Sequence, residues 1–92
     1  MKKTVEIEYV GIEDVQEIID DAYAVMREGH YVSVSVGNVS DDILVSVNII
    51  LGGFEASKEF DYMIGFNVSE DERDVSEMNK CKTILKSLLA EE

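Results

Sequence analysis

The sequence predicts an α+β domain of order β-α-β-β-β-α: an antiparallel three-stranded meander plus an N-terminal strand, with two helices packed on one face. Three observations predict it. Four segments alternate apolar and polar residues with period two, two others repeat apolar residues every three or four positions, and glycines or turn-forming residues separate them. The last three strand segments are joined by short connections, which favour antiparallel neighbours. The 92 residues suffice for one domain, residues 1–92, and are too few for two ordinary ones.

Residues 4–10 set Val5, Ile7 and Tyr9 against Thr4, Glu6 and Glu8, the alternation of a half-buried strand that Gly11 ends. From Ile12 to Glu28 the period lengthens. Ile12, Val15, Ile18, Ile19, Ala22, Val25 and Met26 form one stripe of an amphipathic helix, with Glu13 and Asp14 in the first turn and Gly29 placed to close it. Tyr31–Val36 alternates again, and Gly37 to Asp42 supplies turn chemistry. Ile43–Leu51 turns Ile43, Val45, Val47, Ile49 and Leu51 to one side, and Gly52-Gly53 breaks it. Lys58–Phe66 turns Phe60, Tyr62, Ile64 and Phe66 inward. Ser69-Glu70-Asp71-Glu72 has the pattern of a capping box for the last helix, and Asp74-Val75-Ser76-Glu77 is a second candidate start. Its inner stripe is Val75, Met78, Cys81, Leu85, Leu88 and Leu89, with Lys80, Lys82 and Lys86 toward its end. The uncovered sheet face is expected to be polar, serine-rich and acidic, carrying Thr4, Glu6, Glu8, Ser33, Ser35, Ser46, Asn48, Glu59 and Asp61.

Charge is the unusual feature. Twenty Asp and Glu oppose eight Lys and Arg, for a net charge of −12. Residues 4–79 hold 18 acids against three bases, net −15, beyond the magnitude of about 2–8 that solubility asks of a small domain. Such a field repels nucleic acid and anionic membranes and attracts basic surfaces. With one cysteine, Cys81, no intrachain disulfide forms. The start Met1-Lys2-Lys3-Thr4 leads into Glu6 and Glu8 rather than a long apolar run. No signal peptide, no membrane span and a reducing, cytoplasmic setting are therefore expected.

Chemistry-bearing patterns are thin, and the expectation is that the protein is not an enzyme. His30 and Cys81 are one of each kind, the first at a helix–strand junction and the second on an inner helical stripe, with no nucleophile signature around either. Glu17, Asp20 and Asp21, and the run Glu70–Asp74, lack the calcium-loop pattern, so no metal is assigned. Gly52-Gly53 lies between strands and is followed by no Lys-Ser/Thr pair, so it reads as a turn rather than a phosphate cradle. No cofactor is implied.

What remains is a carboxylate surface held on a folded scaffold. Spaced acids can imitate a row of phosphates, and a basic cleft that binds them releases counterions much as it does with nucleic acid. Glu13-Asp14, Glu17, Asp20-Asp21, Asp41-Asp42 and Glu70-Asp71-Glu72, set around a helix, three-strand, helix core, resemble small acidic phage-encoded inhibitors of the anti-CRISPR type. The resemblance covers most of the chain in architecture, size and charge, and it carries over no individual residue. It implies occupation of the nucleic-acid-binding groove of a Cas effector.

The function expected from sequence is a non-catalytic acidic domain that binds a basic protein surface, that of a nucleic-acid-binding protein, and inhibits it. It would contact neither nucleic acid nor membrane directly. The partner-binding candidates are Glu13, Glu17, Asp20, Asp21, Asp41, Asp42, Glu70, Asp71, Glu72 and Asp74. The alternative is a small structural or assembly domain that self-associates through a sheet edge or through Leu44, Ile50 and Met63.

Overall fold

A computed structural model describes residues 9–54 and 59–90. Within them the order is α1 (Ile12–Arg27), β1 (Tyr31–Val39), β2 (Asp42–Ile50), β3 (Tyr62–Asn67) and α2 (Glu72–Ala90). The three strands form one antiparallel sheet in the order β1-β2-β3. This is an α+β fold with the expected meander. The strand expected at residues 4–10 falls almost wholly outside the described residues. Its one described aromatic, Tyr9, is exposed rather than inward.

α1 follows its capping signals. Asp14 accepts a hydrogen bond from the Gly11 N–H at 2.8 Å, the N3 half of a capping box. At the other end Gly29, at φ +98°, donates to the Met26 carbonyl and terminates the helix in a conformation an L side chain resists. α2 begins later than Ser69. Asp71 takes the cap position and accepts from the Arg73 N–H at 2.8 Å, while the Ser69 hydroxyl accepts the Asp71 N–H. Ser69 thus serves the turn before the helix.

The β1–β2 hairpin is tighter than the sequence implied. Gly37, Asn38 and Val39 continue the strand, paired with Leu44, Ile43 and Asp42, and only Ser40-Asp41 turn the chain. Pairing satisfies the backbone groups that a six-residue loop would leave to water. Its cost is a positive φ of 56° at Ser40. From Ser35 to Leu44 every residue whose side chain is described is exposed, so this ribbon extends past the helices. β3 is shorter than the expected Lys58–Phe66. Asp61 instead closes the preceding connection, its N–H donating to the Ile49 carbonyl and its carboxylate accepting from the Leu51 N–H.

One core cluster joins Val32, Val45, Val47, Ile49, Ile64 and Phe66 of the sheet to Val15, Ile18, Ala22 and Val25 of α1 and to Val75, Met78, Cys81, Leu85 and Leu88 of α2. These strand residues share one face by register. α1 contacts β1, α2 contacts β3, and the helices contact each other. The core holds no buried polar or charged residue among those described.

Three assignments change. Ile12, Ile19 and Met26, expected in the α1 core stripe, are exposed, because the helix rolls onto Val15, Ile18, Ala22 and Val25. Phe60, expected inward, lies before β3, where its ring comes 6.5 Å from that of Tyr31 on the opposite face. Ile50, on that same face, is only 1% exposed. Its cross-strand neighbour Tyr31 also packs on Phe54, with ring centroids 5.2 Å apart. An aromatic group thus occupies one end of the face expected to be wet. The rest of that face carries Ser33, Ser35, Ser46, Asn48, Met63 and Gly65.

Candidate functional site

Both helices begin at the same end of the molecule. The Val10 N–H donates to the Ser69 carbonyl at 2.8 Å, so the chain entering α1 lies beside the chain entering α2. β3 ends there too. Asn67 pairs with Leu44, and the Val68 N–H reaches the Ile43 carbonyl, which brings the Asp41-Asp42 turn to the same end. Glu13, Asp41, Asp42, Glu70, Asp71, Glu72 and Asp74 therefore gather at one end, with Asp14 among them and Arg73 the only base in these segments. The positive ends of two helix dipoles lie beside Glu13, Asp14, Asp71, Glu72 and Asp74, which eases the repulsion among these.

The gathered carboxylates do not all face outward. Asp74 accepts from the Asn67 N–H at 3.0 Å and from the Ser69 hydroxyl at 2.7 Å, joining the end of β3 to the start of α2. Those two hydrogen bonds hold its carboxyl below the ordinary Asp range, with the nearby Arg73 charge adding to them against the opposing effect of burial. Asp71 is occupied as the α2 cap. Glu13, Asp41, Asp42, Glu70 and Glu72 are exposed, and no ion pair reaches them among the described residues. Among the acids gathered at this end, they are the ones left exposed and without an ion pair to a described residue.

The α1 candidates divide. Asp20 is exposed toward solvent. Glu17 and Asp21 turn to α2, where Lys86 Nζ lies 3.3 Å from Glu17 and 2.8 Å from Asp21. Lys82 Nζ sits 2.6 Å from Asp14 and 3.8 Å from Glu17. Burial alone would raise the Asp14 carboxyl, but the Lys82 ammonium and the Gly11 N–H outweigh it and bring it below its ordinary value. Hydrogen bonds from Lys86 to Asp21 and Glu17 raise the lysine's own pKa. Glu17 and Asp21 are thus elements of a ladder that aligns the helices, not an open anionic surface. Lys82 and Lys86, expected to complement the helix dipole, cross to α1 instead, and the last turn of α2 holds no base. The signal was in the spacing: lysines four apart on one helix face acids three and four apart on the other.

Elsewhere the chemistry is quiet. Cys81 is fully buried, and burial, with the Asp21 charge adding to it, pushes its thiol up to about 11. His30 is half-buried, and its Nδ1 accepts the Gly52 N–H at 3.0 Å, linking the start of β1 to the turn after β2. Among the described residues no three His, Cys, Asp or Glu side chains converge as metal ligands. No helix there is long and apolar enough to cross a membrane. In comparison with known proteins, no family model, no curated protein and no solved structure matches the chain.

Proposed function

We propose that the protein is a non-catalytic binding domain whose anionic end engages a basic protein surface, that of a nucleic-acid-binding protein such as a Cas effector, and blocks it. The observation that carries the reading is that Glu13, Glu70 and Glu72 are exposed where both helices start, with the exposed Asp41 and Asp42 on the β1–β2 ribbon at the same end. In this reading both helices cover one face of the sheet. That arrangement would hold the carboxylates at fixed separations, as a phosphate mimic requires and a disordered acidic tail does not provide. A net charge of −12 would speed encounter with a basic cleft and discourage nucleic acid or anionic membrane as a direct ligand. A cytoplasmic setting fits both the single thiol and such a partner.

The test is displacement of labelled nucleic acid from Cas effectors and other basic nucleic-acid-binding proteins. The expected result is competition that weakens at least about tenfold between 50 and 200 mM salt, as counterion release dictates. The variant Asp41→Asn/Asp42→Asn/Glu70→Gln/Glu72→Gln should lose it while melting like the parent. Competition that is flat with salt, or unchanged in this variant, would reject the reading. The self-association alternative loses Ile50, which is buried, and keeps Leu44 and Met63.

A further inference from the structure

The flank of α1 turned away from α2 is apolar and open. Ile12, Ile19, Tyr23 and Met26 follow at spacings of seven, four and three, a single line along a helix. Each is between 41% and 61% exposed. On one side of this line lies the core-facing row Val15, Ile18, Ala22 and Val25, and beyond that row Asp14, Glu17 and Asp21 meet Lys82 and Lys86. α1 packs on β1, which is an edge strand among the described residues, so the apolar line lies on the side of that edge.

Among the described residues that edge carries no guard. Ile49 and Ile43 of β2 give their carbonyls to Asp61 and Val68, on the β3 side. Bonding direction alternates along an antiparallel ladder, so Val32, Val34, Val36 and Asn38, opposite Ile49, Val47, Val45 and Ile43, turn their N–H and C=O groups away from β2. Among the described residues no other segment pairs with them. β1 is nine residues long and contains no proline and no charged side chain, the usual protections of an edge.

We propose that this face binds a second copy of the chain. β1 would pair antiparallel with β1 of the second copy about a two-fold axis, giving a six-stranded sheet, and the two Ile12/Ile19/Tyr23/Met26 lines would meet above it. A two-fold joins a patch to itself, and a strand edge run antiparallel to its own copy meets that condition. Charge opposes two acidic copies overall and bears on their orientation. The antiparallel arrangement sends the two Asp41-Asp42 turns to opposite ends of the joined sheet, away from each other. It also sets the start of one α1 beside the end of the other, so that Glu13 of one copy faces Arg27 of the second. Arg27 has no ion pair among the described residues. A specific, stable interface removes about 1,200 Å² or more in total, and the proposal needs both the paired strands and the two apolar lines to reach it. Residues 1–8 are the rival occupant within the chain, and Val10 beside Ser69 brings the chain into α1 from the β3 end of the sheet.

Sedimentation of the full chain in high salt, where repulsion between two acidic copies is screened, should show a dimer that weakens as salt is lowered. This is the reverse of the salt dependence expected of the anionic end, so the two ideas fail separately. Ile19→Lys/Tyr23→Lys should be monomeric with the parent's far-UV circular dichroism, although it reduces the net negative charge, and its melting should not depend on concentration. Met63→Lys, on the other face, should remain dimeric. Amide exchange at Val34 and Val36 should be slow in the parent and fast in the α1 variant. Four results would overturn the proposal: a monomeric parent at high salt and high concentration, a dimer surviving Ile19→Lys/Tyr23→Lys, a dimer broken by Met63→Lys, or a dimer that forms only after residues 1–8 are deleted.

Discussion

Replacing Ile50 with alanine tests how the outer sheet face is built. Ile50 alternates with Ser46 and Asn48, so a two-layer reading leaves it in water, where truncation costs almost nothing. In the structure it is 1% exposed, beside Tyr31, whose ring packs on Phe54 and Phe60. Ile→Ala removes three carbon groups, and at about 0.8 kcal/mol for each buried methylene the transfer loss is about 2.4 kcal/mol. The cavity left behind brings the expected cost to about 2–4 kcal/mol. Met63, on the same face at 71% exposure, is the internal control, and Met63→Ala should stay within about 0.5 kcal/mol of the parent. Urea unfolding followed by far-UV circular dichroism reads both, and thermal melting should fall by roughly 10 °C or more for Ile50→Ala. A loss below about 0.5 kcal/mol for Ile50→Ala, level with Met63→Ala, would refute the aromatic cover and return this face to solvent.

Asp74 and Cys81 yield two further tests. Asp74→Ala leaves the Asn67 N–H and the Ser69 hydroxyl without their acceptor and should cost about 1–3 kcal/mol at pH 7, measured by urea unfolding. Because the folded carboxyl titrates below its ordinary 3.8, its contribution is complete above that value and disappears as pH falls through the lower folded one. The gap between parent and variant should therefore close in acid, and a gap constant down to pH 2 would count against the assignment. Cys81, buried with its thiol raised to about 11, should ignore a thiol reagent at pH 8 until urea unfolds the chain. Labelling of the native protein at the unfolded rate would contradict its placement in the core.

Much of the fold was legible because period and punctuation agreed. Val32, Val45, Val47, Ile49, Ile64 and Phe66 alternate, and Gly29 stands where α1 must stop. The errors arose where local chemistry met a tertiary alternative. Gly37-Asn38 look like a turn, but pairing with Leu44 and Ile43 satisfies more backbone. Ser69 looks like a helix cap, but Asp71 captures the Arg73 N–H first. The apolar stripe of α1 is wider than the strip of sheet that one helix can cover, so periodicity alone could not say that Ile12, Ile19 and Met26 stay outside. The site was half legible. The count of acids is plain in the sequence, but which are free depends on pairings across elements, such as Lys86 with Asp21, that linear spacing only hints at. Asp74 shows the same thing within one end: Glu70 and Glu72, close by in sequence, are exposed, whereas Asp74 turns back to hold β3 to α2.

The ribbon from Ser35 to Leu44 gives the anionic end its shape. Two carboxylates mounted on an overhanging two-stranded tongue make that end a prong and not a plane. A flat cushion of charge would rest on the rim of a recessed basic groove. On the proposed reading, a tongue only two strands wide would enter such a groove and carry Asp41 and Asp42 to its floor, while the stubbier helix starts would remain at the mouth.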